Sequence, residues 1–396
     1  MNKLTRRQIL KLSAMTGALV FGFSNSRGFA MKNKINPAKL NELTVEFNKM
    51  IKDGLHPGAQ LCAYYQGDRV IDLAAGLDES GGRPVTFETL YQIRSCTKAL
   101  AAMAMMMIYE KGRFSFEDPV AKHWPEFGTR GKQSITIAQI MSHSAGIPDG
   151  PMISPDQLGD RQAVARAVES MKPIWTPGTV NGYHAATFGW VLDELVFRWE
   201  GRNISRFMDE EVIRPLGLKN IFIGLPPQEF PRMAKMFVQE DVRQRQDTRA
   251  RFSDLLNSPE GMGLPLAWVG GVATAGDLAC LMNILAYEGN FRGKKYFTRE
   301  TQNKVSQPQN TPDTTDQRLT LPIRWGIGFM VGTTPRIFGD RQNPRVVGHA
   351  GGSASITWAD PDKKLSVAFL TNKMSGMNIA FERYRLIANK VYECLD

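Results

Sequence analysis

A chain of 396 residues, 42% hydrophobic and 22% charged, can bury a large core, and its composition is neither collagen-like, coiled-coil nor disordered. The formal charge of +10 shrinks once residues 1–30 are set aside, because Lys3, Arg6, Arg7, Lys11 and Arg27 fall there with no acid, leaving 44 basic against 39 acidic side chains. That surplus is an ordinary solvated surface, and the densest basic stretch, 243–251, is broken by Asp247 and lacks interleaved aromatics, so nucleic acid is excluded as a partner.

The first element is not expected to belong to the fold. Residues 5–11 form a basic region with paired Arg6-Arg7, 12–23 are apolar, and Gly28-Phe29-Ala30 offers small residues to a peptidase. The pattern resembles a twin-arginine export signal, so 1–30 are expected to be removed and the mature protein to be periplasmic or secreted. An uncleaved anchor is the alternative, but the run is shorter than a bilayer span, and no later segment holds the ~20 apolar residues a span needs.

Asn36 can cap a helix begun by Pro37, with Leu40, Leu43, Phe47, Met50 and Ile51 on one face and Gly54 as its stop. Strand-like runs at 59–65 and 69–75, joined through Gln66-Gly67-Asp68, predict a hairpin. Residues 95–111 read as a helix ended by Gly112. It is apolar on nearly every side between 99 and 108, so it should run through the interior; its methionines are read as packing, with an adaptable binding surface as the other reading.

From 115 to 265 helical patterns and proline-rich loops dominate. Strand character returns at 325–332, 346–349, 353–358 and 365–371, with a hairpin turn at 359–363. A last helix carries Ala380, Tyr384, Ile387, Val391 and Cys394 on one stripe. Strands from both ends with helices between predict an α+β fold: one antiparallel sheet flanked by helices, with an inserted, mostly helical lobe. The boundaries expected are 31–114 with 266–396 for the sheet lobe and 115–265 for the helical lobe. The terminal helices should cover one face of the sheet, the helix after Ser95 the other, and the substrate cleft should lie between the lobes.

Four dispersed cysteines (Cys62, Cys96, Cys280, Cys394) and five histidines give no metal-ligand spacing. Cys62 and Cys394 could lie close where both ends meet the sheet, so a bridge there is left open.

Ser95-Cys96-Thr97-Lys98 is the one Ser-x-x-Lys in the chain. At the start of a buried helix, free N–H groups favour a developing alkoxide, and Lys98, three residues on, returns to the same face as Ser95. Buried there, the amine can lose its charge and serve as the base a serine nucleophile needs. By itself the pattern also suits a capping serine followed by a surface lysine. Tyr183, on a loop after Trp175-Thr176-Pro177-Gly178, can project a phenol into the cleft and relay the proton. His184 is read as structural, because adjacent side chains point apart. In 348–352 the glycines let the backbone approach a bound acyl group, and the N–H groups of Ser95 and Gly352 can hold an oxyanion; a β-bulge is the alternative.

In this order the three elements resemble the class C β-lactamase, D-alanyl-D-alanine carboxypeptidase and serine esterase superfamily. Ser95-x-x-Lys98 is similar to its first motif, Tyr183-His184-Ala185 stands where Tyr-x-Asn is expected, and His349-Ala350-Gly351 stands where Lys-Thr-Gly is expected. Stretches 142–148, 270–278 and 358–361 are similar to recurring stretches of the superfamily. The resemblance implies a β-lactamase/transpeptidase-like fold over 35–395, an acyl-serine mechanism with Ser95, Lys98 and Tyr183, a substrate-binding role for His349, Gly351 and Gly352, and no metal or cofactor. Two departures bear on substrate. Ala185 lacks the amide, and Ala350 the hydroxyl, that would hold a peptide or β-lactam, while His349 is not permanently charged. The expectation is a small-molecule ester substrate, with a weak β-lactamase or D-alanyl-D-alanine carboxypeptidase, or a binding module without catalysis, as alternatives. An α/β-hydrolase has no Gly-x-Ser-x-Gly here to stand on.

Overall fold

Helix α1 (Pro37–Lys52) opens as its sequence dictates: Asn36 Oδ1 accepts the Ala38 and Lys39 N–H groups, and Gly54 beyond its end takes φ +72°. The computed structural model describes residues 34–395 apart from 80, 151–152, 241–246, 312, 333–334 and 341–342. The export-signal reading of 1–30 lies outside the described residues. Strands β1 (Gly58–Tyr65) and β2 (Asp68–Gly76) form the expected hairpin, turned by Gln66 and Gly67 at φ +50° and +85°, the backbone that matches strand twist.

A 3-10 turn, Arg94–Cys96, then leads into α2 (Thr97–Glu110), so the serine precedes the α-helix rather than opening it. Every residue of α2 from Thr97 to Ile108 is buried. The middle of the chain is helical, with α3 (Thr187–Glu200) and α4 (Asp247–Leu256) the helices that reach the cleft, followed by α5 (Ala275–Ala286). Strand β3 is only Met330–Val331, shorter than the run at 325–332 suggested, because Gly328 at φ +90° folds the chain back and leaves a single bridge from Trp325 to Met330. Strands β4 (Val347–Gly351), β5 (Ser355–Asp360) and β6 (Leu365–Thr371) and helix α6 (Met377–Glu393) complete the chain.

The main sheet runs β3-β4-β5-β6-β1-β2, all antiparallel, so the two ends of the chain meet along β1 and β6 with Leu61 opposite Phe369. On one face α1 and α6 pack against each other and over Leu61, Trp358 and Phe369, burying Phe47, Tyr384 and Ile387. Each such side chain contributes about 1.5–3 kcal/mol by leaving water. The other face departs from expectation. Helix α5, not α2, lies against β1, β5 and β6, where Ser366 Oγ donates to Ala279 O at 2.7 Å. Helix α2 meets the sheet at β4 and otherwise runs among α3 and the helix Ile204–Met208. Both helices are buried along nearly their whole length, so an apolar pattern does not choose which of them meets the sheet.

All four cysteines are free and buried. Cys62 belongs to the α5 side of the sheet and Cys394 to the α1–α6 side, so strand alternation separates the pair that might have bridged. Among the described residues no histidine, cysteine or acidic cluster is arranged for a metal, and no helix is long and apolar enough to cross a membrane.

Candidate active site

The serine turn is fixed from three directions. Ile93 N–H donates to Gly271 O at 2.9 Å, Thr97 Oγ1 donates to Arg94 O at 2.5 Å and accepts from Gly271 N–H at 2.9 Å, and Cys96 Sγ donates to His349 O at 3.0 Å. Strand β4 presses so closely on this turn that a Cβ at Gly351 would sit 2.1 Å from Ile93 O. The close approach that requires glycine is therefore to the serine turn itself. The next residue, Gly352, takes φ +55°, and among the described residues neither its N–H nor that of Ser95 has a backbone acceptor.

Lys98 is wholly buried, and its Nζ lies 3.4 Å from Ser95 Oγ and 3.1 Å from Trp268 O. The rings of Tyr183, Trp268 and Phe188 surround the nitrogen with centroids at 4.9, 5.7 and 5.8 Å. Among the described residues no carboxylate faces it, and burial drives the amine well below its ordinary pKa.

Tyr183 reaches the same place from the loop before α3. Its ring stacks on Trp325 at 5.6 Å and 10° and lies 4.8 Å from His143 and 6.1 Å from His349. Asp316 holds this arrangement from behind: Oδ1 accepts the N–H groups of Tyr183, Arg318 and Leu319, and Oδ2 accepts Trp325 Nε1–H at 3.0 Å. His184 is structural, its Nδ1–H donating to Gly182 O at 2.6 Å and its Nε2 accepting Ile147 N–H at 3.0 Å.

His349 donates Nδ1–H to Ala350 O at 2.6 Å, which leaves Nε2 a buried acceptor with no partner among the described residues. Burial and the neighbouring Lys98 push its pKa down to about 3, so the ring is neutral. Ser95, Tyr183, Ala185, His349, Ala350 and Gly352 all line one cleft of about 630 Å³. Its remaining wall is mostly apolar, from Leu158, Trp190, Phe252, Trp268, Met374 and Phe381, in the size range of small-molecule sites.

Sequence reasoning passed over four residues that this geometry brings in. His143 lay in a noted stretch but carried no role, and its φ of +61° marks it as held in place. Trp325 and Asp316 had no local signal, since they meet Tyr183 only through the fold. The fourth is Arg94, 3% exposed, beside Ser95 and on the cleft wall. Its φ of +52° is the left-handed region that costs a residue with a Cβ about 1–2 kcal/mol.

The family model described as Beta-lactamase matches residues 47–392. The chain belongs to the beta-lactamase family. It is 26% identical over 342 residues to the protein named Esterase/beta-lactamase LipL of Mycobacterium tuberculosis, covering 80% of this chain and 77% of that one. Among solved structures it is similar to a family VIII carboxylesterase, with a TM-score of 0.80, 25% identity and coverage of 90% and 97% of the two chains. A penicillin-binding protein homolog from Caulobacter crescentus gives a TM-score of 0.78 at 28% identity over 90% and 98%. Within this beta-lactamase-family fold, the positions where the superfamily motifs would place an amide and a hydroxyl hold Ala185 and Ala350, both on the cleft wall.

Proposed function

We propose that the chain is a carboxylesterase that works through an acyl-enzyme on Ser95. The observation that carries this reading is Lys98: an amine buried with no carboxylate beside it among the described residues, 3.4 Å from a serine hydroxyl that lines a cleft. Neutral in the resting enzyme, Lys98 takes the Ser95 proton as Oγ attacks the ester carbonyl. The N–H groups of Ser95 and Gly352 receive the developing oxyanion. The proton passes by way of Lys98 and the Tyr183 phenol to the departing alcohol, and water then releases the acid by the same path in reverse.

The neutral His349 and the methyl of Ala350 support esters over β-lactams, because neither offers a charge or hydroxyl to a carboxylate on the leaving-group side. Export by the arginine-pair segment, with action outside the cytoplasm, is part of the same proposal. The test is a panel of p-nitrophenyl esters beside a chromogenic cephalosporin, with Ser95→Ala as control. Ester turnover that Ser95→Ala abolishes, with slow cephalosporin hydrolysis, is expected. Rapid cephalosporin hydrolysis would assign the site to a β-lactamase instead, and no turnover of either to a binding module.

A further inference from the structure

We propose that Arg94 is an anion subsite at the acyl end of the cleft, and that the ester this enzyme prefers has an acyl chain ending in a carboxylate. The inference rests on the carboxylesterase reading and narrows its substrate class.

Arg94 is a buried cation with almost nothing to hold it. The one hydrogen bond of its guanidinium among the described residues is from Nη2 to Ser253 Oγ at 2.9 Å, and its buried Nε has no acceptor there. Among the described residues no aspartate or glutamate lines the cleft, whereas a second cation, Arg251, does. Buried Lys132 shows how this molecule satisfies a structural cation: its ammonium donates to the carbonyl oxygens of Thr129, Glu169 and Met171 at 2.7–3.0 Å. A guanidinium presents a planar fork of five donors that fits a carboxylate, and one hydroxyl leaves most of that fork unused. The backbone adds to the argument. At φ +52° a glycine would be relaxed, so a residue that is both strained and desolvated here needs a reason that folding does not supply.

The placement selects the acyl side. Lys98 and Tyr183 return the proton to the leaving alcohol, so the alcohol departs on their side of Ser95. Arg94 sits instead with the proposed oxyanion donor Gly352, its stem 3.1 Å from where a Cβ on that residue would fall and its head near Ser253, which in turn donates to Met374 Sδ at 3.3 Å, so we assign it to the acyl side. The carboxylate held there takes no part in the chemistry. Ser95 Oγ bonds to the ester carbonyl carbon, the bond to the alcohol oxygen breaks as that oxygen gains the serine proton, and water later frees a dicarboxylic acid.

The experiment compares mono-p-nitrophenyl succinate, glutarate and adipate with neutral p-nitrophenyl esters of matched length, and with 4-butyryloxybenzoate, whose carboxylate sits on the alcohol. The readout is the ratio of kcat/KM for anionic over neutral ester in one preparation, which cancels any misfolded fraction. The wild type is expected to favour its best acyl-anionic ester at least tenfold. Arg94→Met should lower that ratio at least tenfold, Arg94→Lys should keep part of it, and Arg94→Gly should lose it without a fall in Tm, because glycine suits the backbone. A wild-type preference for neutral esters, for the benzoate, or a ratio unmoved by Arg94→Met and Arg94→Gly overturns the subsite alone. Absence of turnover of every ester overturns the carboxylesterase reading and the subsite with it.

Discussion

At the Tyr183 end of the cleft burial has discharged the basic groups: Lys98 and His143 are driven well below their ordinary pKa values, and His349 down to about 3. At the Arg94 end the same degree of burial brings the guanidinium only to about 10, so it stays charged. The difference teaches that one apolar site can hold a neutral amine and a fixed cation side by side, provided the cation is a guanidinium. An amine or imidazole escapes desolvation by giving up its proton, while an arginine near neutral pH does not.

The largest effect that can break this contrast is at the base. Lys98→Ala and Tyr183→Phe should each lower kcat by roughly 10²–10⁴. Steady-state kinetics on the double variant should show a loss little greater than either single one, because the proposed mechanism gives the two one proton path. Losses that multiply would mean they act independently. The pH profile sharpens the point: kcat/KM should rise with pH as Lys98 loses its proton, with the midpoint well below 10.5.

Next in size is a transfer of charge to the neutral end. His349→Lys with Ala350→Thr puts an ammonium and a hydroxyl where a β-lactam carboxylate would lie, a charge-assisted hydrogen bond of about 1.5–3 kcal/mol. Penicillin hydrolysis should gain about one to two decades in kcat/KM, while neutral esters stay level or lose. No gain would show that the missing groups at 349 and 350 do not set the preference.

A smaller effect is expected at Asp316, which accepts from both Tyr183 and Trp325. Asp316→Asn turns one acceptor into a donor facing Trp325 Nε1–H, so Tyr183 should loosen. The fall in kcat should be less than that of Tyr183→Phe, and Tm should drop with it, as a lost buried hydrogen bond costs about 1–3 kcal/mol.

The smallest is a gain in stability. Lys98 binds its proton less well in the folded protein than in the unfolded chain, so stability climbs with pH from its folded pKa up to about 10.5 and the cost of burial is present at neutral pH. Lys98→Met should therefore raise Tm by a few degrees at pH 7, and thermal melts should show the advantage shrinking as pH nears 10.5.

What was legible in the sequence was whatever is local. The capped start at Asn36, the Gln66-Gly67 hairpin and the buried run after Ser95 each carry their signal within a few residues, and each formed. The pairing of β1 with β6 followed because strands at both ends had no other partners. The assignment of α2 rather than α5 to the inner face failed because both are apolar on most sides, so neither pattern says which one meets a sheet. Ser95, Lys98 and Tyr183 were readable as residue types in a spacing, and the structure sets Ser95 and Tyr183 on one cleft with Lys98 buried beside both. Asp316 and Trp325 were not, because their meaning arises from contacts across 133 and more residues of chain. Arg94 was hidden for another reason: a left-handed backbone and the lack of a counter-ion among the described residues are visible only in three dimensions.

The central claim is that Ser95 is the nucleophile, and covalent labelling tests it most directly. Incubation with a fluorophosphonate, digestion and mass spectrometry should place a single adduct on the peptide that contains Ser95, and Ser95→Ala should carry none. An adduct on another serine, or labelling that survives in Ser95→Ala, would contradict the account.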